Sequence, residues 1–171
     1  GFLISSSSAR NTLAQNVASA NGDGFKIDGD SNTFRDNESR FNTENGFDVN
    51  GTENVRSKNV AADNGDEGLD LDGERNRLTR NEAHKNGAIG EPGNRNGFHV
   101  SNDFNALTGN VATENAEFGF VIDDGIFGNS ITNRNISELN GSTDMHDLNA
   151  ECSSNRWRQN IFGTSDPGCI D

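Results

Sequence analysis

Tyrosine is absent from these 171 residues, methionine and tryptophan occur once each, and there are only two cysteines and three histidines. Without tyrosine there is no phenolic proton donor. Two cysteines in no metal-ligand spacing leave no thiolate metal centre. No apolar run approaches the ~20 residues needed to span a bilayer, so no membrane insertion is expected. Cations are also scarce: 14 Lys and Arg stand against 27 Asp and Glu, for a formal net charge of -13 and a pI of about 4.5. No basic stretch appears along the chain, which argues against a nucleic-acid partner and an anionic membrane surface. The hydrophobic fraction is 30% and the mean hydropathy -0.81. An ordinary globule that polar would be suspected of disorder.

What is present removes that suspicion. Eleven Phe recur in a pattern. A glycine followed by an apolar residue appears at Gly1-Phe2, Gly24-Phe25, Gly46-Phe47, Gly68-Leu69, Gly97-Phe98 and Gly119-Phe120, at intervals of 23, 22, 22, 29 and 22 residues. The long interval carries an insertion, 88–96, rich in turn residues. Each anchor opens an apolar–polar–apolar triplet, as in Phe25-Lys26-Ile27, Phe47-Asp48-Val49, Leu69-Asp70-Leu71 and Phe98-His99-Val100. That alternation is the signature of a half-buried strand. Asparagines then recur every five residues, as in Asn32, Asn37, Asn42 and Asn54, Asn59, Asn64. Asn suits tight corners because it tolerates left-handed backbone, and stacked Asn side chains form hydrogen-bonded ladders.

Three short strands separated by Asn corners, repeating about every 22 residues, describe one coil of a solenoid. A thin apolar strip per coil is all such a fold needs to bury. A leucine-rich repeat would need a dense Leu frame, a calcium-binding nonapeptide roll a Gly-Gly-x-Gly-x-Asp period, and a propeller blade about 40 residues. The expected fold is all-β: a right-handed, single-stranded parallel β-helix of about seven coils. The coils are expected over 1–151 and a C-terminal capping segment over 152–171.

These coils resemble the parallel β-helix repeats of the pectate-lyase-like superfamily. Within it they are most similar to bacterial secreted and periplasmic β-helix proteins grouped with the nitrous-oxide-reductase copper-maturation family. The tail, with Asp147-Leu148, Cys152, Asn155-Arg156-Trp157, Asn160-Ile161-Phe162-Gly163-Thr164 and Pro167-Gly168-Cys169-Ile170, resembles the closing segment of many such proteins. The resemblance implies the fold; the activities it brings range over lyases, epimerases, hydrolases and proteins without known chemistry. It also implies what is missing. Alginate epimerases and many alginate lyases rely on a Tyr beside an Asp-Pro-His arrangement, and neither occurs here. One Met and three scattered His do not make a copper site, whatever the family name.

Cys152 and Cys169 are read as a local disulfide rather than two free thiols, which places the protein in an oxidising compartment, extracellular or periplasmic. The bond would pin a cap in which Trp157 and Phe162 cover the last coil, contributing roughly 3 kcal/mol. Trp157 is read as a cap residue before a sugar-stacking platform. The chain opens on a strand, Gly1-Phe2-Leu3-Ile4, without an initiating Met; a processed product or part of a longer β-helix is expected, as a monomer.

If the register is right, the side chains between the apolar pair point outward, and equivalent positions lie about 4.8 Å apart. One outward column is Lys26, Asp48, Asp70, His99 and Val121; the next is Asp28, Asn50, Asp72, Ser101 and Asp123. Stacked carboxylates are costly unless neutralised. In the functional reading, Asp48, Asp70 and Asp72 hold Ca²⁺, while Lys26 or His99, with Asp70, abstracts a proton next to a uronate carboxyl. Asp48, Asp28 and Asp123 then line an extended polysaccharide. That is lyase or epimerase chemistry; a paired-carboxylate hydrolase built on Asp70 and Asp72, or Asp123 and Asp124, ranks below it. In the structural reading, Lys26 pairs with Asp48, His99 pairs with Asp70, and the rest is a solvated acidic face. His84 and His146 are read as isolated surface or cap residues. The expected function is a secreted carbohydrate-associated module that binds or processes a polysaccharide; the alternative is a non-catalytic structural or adhesive solenoid.

Overall fold

The computed structural model describes residues 1–88, 94–152 and 154–171. The insertion read at 88–96 therefore has its centre, 89–93, outside the described residues. Elsewhere the chain winds as a parallel β-solenoid whose strands, almost all three residues long, build three sheets of eight, seven and seven strands. The first sheet contains 25–27, 47–49, 69–71, 98–100 and 120–122; the second contains 33–35, 55–57, 77–79, 106–108 and 130–132; the third contains 38–40, 60–62, 82–84, 111–113 and 136–138. Every pairing is parallel and joins equivalent positions of successive coils, Phe25 to Phe47, Leu69 to Phe98, Phe98 to Phe120. The tail segment 156–166 adds short strands to all three sheets.

The core is one column of side chains per inward position. On the first sheet Phe2, Phe25 and Phe47 stack face to face at 4.8 and 4.7 Å, and Phe98 and Phe120 at 4.6 Å. The ring spacing equals the strand spacing, so identical residues in register are the cheapest way to fill a solenoid. The third sheet turns Ala18, Ala61, Ala83 and Ala112 inward. This small-residue column lets the anchor glycines pass close: a Cβ on Gly46 would lie 2.5 Å from Gly68 O and 2.8 Å from Ala61 Cβ. The anchor is therefore glycine for want of space, not for a special backbone angle.

The asparagines are buried and form three ladders. Asn59 is typical: its backbone N–H donates to Asn81 Oδ1 (3.0 Å), and its Nδ2 donates to the same oxygen (2.9 Å) and to Phe34 O (3.1 Å). One expectation is corrected. The left-handed residue at each corner is not the Asn but the residue before it, for example Asp36, Lys58, Arg80 and Glu114, with φ of 54 to 56°. The Asn keeps ordinary backbone and spends its amide on the neighbouring coils, which satisfies corner N–H and C=O groups that would otherwise be buried without partners.

At the C-terminal end Cys152 and Cys169 form a disulfide, with Cα atoms 6.2 Å apart. Trp157 is buried and donates from Nε1 to Asp147 Oδ2 (2.8 Å), so it is a core residue and offers no sugar platform.

One inward cation breaks the apolar pattern. Arg56 sits in the second-sheet column between Phe34 and Leu78 and is wholly buried. Its guanidinium lies 5.4 Å from the Phe34 ring centroid and reaches Asn76 Oδ1 at 3.5 Å. Its Nε and Nη2 have no hydrogen-bond partner among the described residues. Burial pulls its pKa down to about 9, which still leaves it charged at neutral pH. Arg56→Leu should raise stability by about 1–4 kcal/mol, read as an upward shift of several degrees in a thermal melt. A lowered melting temperature would refute this account of the core.

Candidate functional site

The outward face of the first sheet carries the site. Successive coils place Lys26 beside Asp48, Asp48 beside Asp70, Asp70 beside His99 and His99 beside Val121, as the register requires. The column extends two strands past Val121, which pairs with His146, and His146 in turn with Asp166. His146 therefore lies two coils from His99 on the same face, with its Nδ1 3.8 Å from Asp166 Oδ2 and its ring against Phe118. It is not the isolated residue anticipated. His84 points outward from the third sheet, away from this face.

Lys26 Nζ is ion-paired with Asp48 Oδ2 and lies 3.7 Å from Asp23. Asp48 Oδ1 accepts from Asn50 Nδ2 (3.0 Å), which also donates to Asp28 Oδ1 (3.0 Å). His99 is held at both nitrogens, Nδ1 at 2.9 Å from Asp70 Oδ1 and Nε2 at 3.1 Å from Asp123 Oδ1. Ser101 donates to Asp72. Both pairings of the structural reading, Lys26–Asp48 and His99–Asp70, are thus formed, and Asp28 and Asp123 are tied into the same network.

Electrostatics set the resting protonation. Burial works against the charged form of His99, but the hydrogen bonds to Asp123 and Asp70 outweigh it and lift its pKa to about 10. The Lys26 pKa is raised chiefly by the hydrogen bond to Asp48. As they stand, both residues are cations and neither is poised to take a proton. Asp70 is raised by burial, against the lowering pull of His99. Asp70 is the group of the expected catalytic trio left to accept one.

In the sequence Glu67 belongs to the densest acidic stretch, Asp63-Asn64-Gly65-Asp66-Glu67 with Asp70 and Asp72, which reads as the best place for a cation, and nothing there sets it apart. It lies one residue before the anchor Gly68, in a column with Asp23, Asn45 and Asn96 that is knitted by side-chain acceptors, Asp23 Oδ1 to Asn45 N (3.2 Å) and Asn45 Oδ1 to Glu67 N (3.0 Å). It is 2% exposed. Burial, with the Asp70 charge adding to it, raises its pKa to about 8. Only alignment into that column marks it, as a carboxyl among positions partly made of amides.

Asp48, Asp70 and Asp72 each offer an oxygen within 4.8 Å of the others. Three converging carboxylates suit a hard cation, which takes oxygen ligands. Lys26 and Asn50 already engage both Asp48 oxygens, so Asp70 and Asp72 keep the freer ones.

Two of the insertions adjoin this face in sequence. The 88–96 segment precedes the His99 strand, and the corner after Asp123, 123–129, is two residues longer than its counterpart 101–105. The backbone repeat decides the family: the model described as "Right handed beta helix region" matches residues 1–162. The chain belongs to the right-handed β-helix family. No curated protein matches it in sequence. Among solved structures, this β-helix protein is similar to the periplasmic alginate epimerase AlgG, at 20% identity and a TM-score of 0.70, over 90% of this chain and 39% of that one. It is also similar to pectate lyase Pel9A, at 19% identity and a TM-score of 0.62, over 92% of this chain and 48% of that one. It thus spans less than half the length of either, and at that identity the likeness is one of fold.

The raised pKa of Glu67 yields a pH prediction. Its folded value of about 8 lies above the ordinary 4.5, so the folded state holds the proton more tightly. Stability from this group is complete below about pH 4.5 and is lost as pH climbs through about 8. Glu67→Gln keeps a neutral polar side chain and removes that loss. The variant should melt with the parent protein near pH 4 and above it near pH 8, by on the order of a few kcal/mol. Parallel stability curves across this range would refute the assignment.

Proposed function

We propose that the outward face of the first sheet holds an extended, uronate-containing polysaccharide, and that the protein is an extracytoplasmic carbohydrate-associated module. The observation that carries this reading is the column Lys26, Asp48, Asp70, His99 with Asp123 alongside: basic and acidic side chains in register at one group per coil, beside the lengthened corner 123–129. A rigid ladder with a lengthened corner beside it suits a repeating polymer, and loops on rigid scaffolds carry function. The neighbours in fold are an alginate epimerase and a pectate lyase, which supports the substrate class. The disulfide supports an oxidising compartment. Among the described residues no helix is long and apolar enough to cross a membrane.

The roles follow from the resting charges. Lys26 and His99 meet sugar carboxylates as cations, which acidifies the neighbouring C–H. Asp70, at the centre of the column, accepts the proton, the division of labour of a lyase or epimerase. Asp28, Asp48 and Asp123 line the polymer. Asp48, Asp70 and Asp72 would hold Ca²⁺, which when bound neutralises a uronate carboxylate. A second reading has its own observation. Lys26–Asp48 and His99–Asp70 are closed pairs, which is what a purely structural or adhesive solenoid would show.

Two experiments separate the readings. Asp70→Ala combined with His99→Ala should weaken binding of oligogalacturonate or alginate oligomers about tenfold or more, the loss of 1.4 kcal/mol or above, and abolish any turnover. Unchanged binding and turnover would leave the structural solenoid. A thermal melt in Ca²⁺ against EDTA should show a rise, since saturation at 100 times Kd adds about 2.7 kcal/mol. No rise would remove the cation and leave the polysaccharide reading standing.

A further inference from the structure

Charge that looks scattered along the chain is segregated by folding. The second sheet and the corner that follows it carry seven of the 14 Lys and Arg as outward residues, with Asp36 their only acidic residue. In a protein of net charge -13 this is a basic face. The expectation that no basic stripe exists holds for the linear sequence and fails for the surface.

The face has a notch. In the corner column Asp36, Lys58, Arg80, the next residue is Gly109, and the corner after it is one residue longer, Asn133-Arg134. The missing side chain opens a cleft of about 410 Å³ lined by Thr79, Arg80, Thr108, Gly109, Arg134 and Ile136 among others. That volume is within the range of small-ligand sites, ~300–1,000 Å³. The groups facing it are donors. Arg80 and Arg134 are exposed and pair with no carboxylate among the described residues. The corner N–H groups of Lys58 and Arg80 donate to Thr79 O and Thr108 O (3.1 Å each), whereas that of Gly109 has no such partner among the described residues, because the longer corner has moved the acceptor. Arg80, Arg134, Thr79, Thr108, Asn133 and the Gly109 backbone line the cleft with no carboxylate among them, a donor-rich lining suited to an oxoanion.

We propose that this notch binds an anionic sugar unit, a carboxylate or sulfate carried on a hexose ring, and so forms a second glycan-binding site on the face away from the His99 column. The ring's C–H surface meets Ile136 and the threonine methyls, while its oxoanion meets Arg80 and Arg134. A single-stranded nucleic acid is the poorer fit. Its bases need aromatic platforms, and the aromatics of the second sheet, Phe34 and Trp157, are buried in the core. The proposal stands apart from the first-sheet site and does not need it to be correct.

The test is calorimetric titration of the whole chain with oligogalacturonate, chondroitin sulfate, sodium sulfate and oligo(dT), at low and moderate salt. Arg80→Gln with Arg134→Gln should weaken glycan binding about tenfold and flatten its salt dependence. Gly109→Asn keeps both arginines and fills the notch; Asn accepts the φ of 64°, and the nearest atoms to its Cβ would be 3.7 Å away. It should lose binding comparably while melting like the parent. Preference for oligogalacturonate or for chondroitin sulfate identifies carboxylate or sulfate as the ligand group. The proposal is overturned if neither glycan binds, if both variants bind like the parent, or if oligo(dT) or free sulfate binds as tightly as the glycans. Asp70→Ala with His99→Ala serves as the control for the other face. Loss there alone overturns the notch and spares the first-sheet reading, and loss in the arginine variant alone does the reverse.

Discussion

The hydrogen bond from each corner asparagine to the coil beside it is the constraint on which the rest of the molecule depends. Strands of three residues are too short to hold register through backbone pairing alone. At every corner the ladder Asn donates its backbone N–H to the Asn oxygen of the next coil, as Asn54 does to Asn76, and at two corners its side-chain amide donates to the same oxygen, as in Asn59 to Asn81, so no coil can slip without breaking bonds at all three corners. Register then does the remaining work. It stacks Phe on Phe in the core, passes glycine over alanine, and gathers ionisable side chains into outward columns.

Those columns give the two faces opposite characters. On the first sheet, carboxylates outnumber cations and bind them, so that His99 rests as an imidazolium between Asp70 and Asp123. On the second sheet the outward cations, Arg35 with Asp36 apart, pair with no carboxylate among the described residues. Neither arrangement depends on a local motif. Both arise because residues about 22 positions apart become neighbours, the same geometry that makes a solenoid core thin and its surface long.

Much of this was legible in the sequence, because period and alternation are visible to the eye. The anchor triplets, the first outward columns, the Lys26–Asp48 and His99–Asp70 pairs and the Cys152–Cys169 bond all follow from counting. What escaped did so for physical reasons. His146 stands in the late anchor region Asp144-Met145-His146-Asp147-Leu148, delayed because the coil before it is lengthened at two corners, and without that register it reads as isolated. Glu67 looked like one more acid in an acidic stretch; only its burial beside an amide column sets it apart. Arg56 is hidden in the sequence because an arginine contradicts the apolar pattern that defines an inward column. The left-handed corner residue was assigned to Asn on propensity, whereas ladder bonding claims the Asn and hands the strained backbone to its neighbour, whatever that neighbour is.

The lengthened corners have a consequence for how such a chain can change. Residues added between a strand and the next ladder asparagine bulge outward and leave both flanking columns where they were, as the extra residues of 123–129 and 133–134 do. A residue added inside a three-residue strand would instead turn that coil's inward side chains out and its outward ones in. Insertions are therefore almost free at the corners and ruinous between them. A lineage built on this plan can remodel the rims of its faces by length variation while the charged columns they frame stay in place.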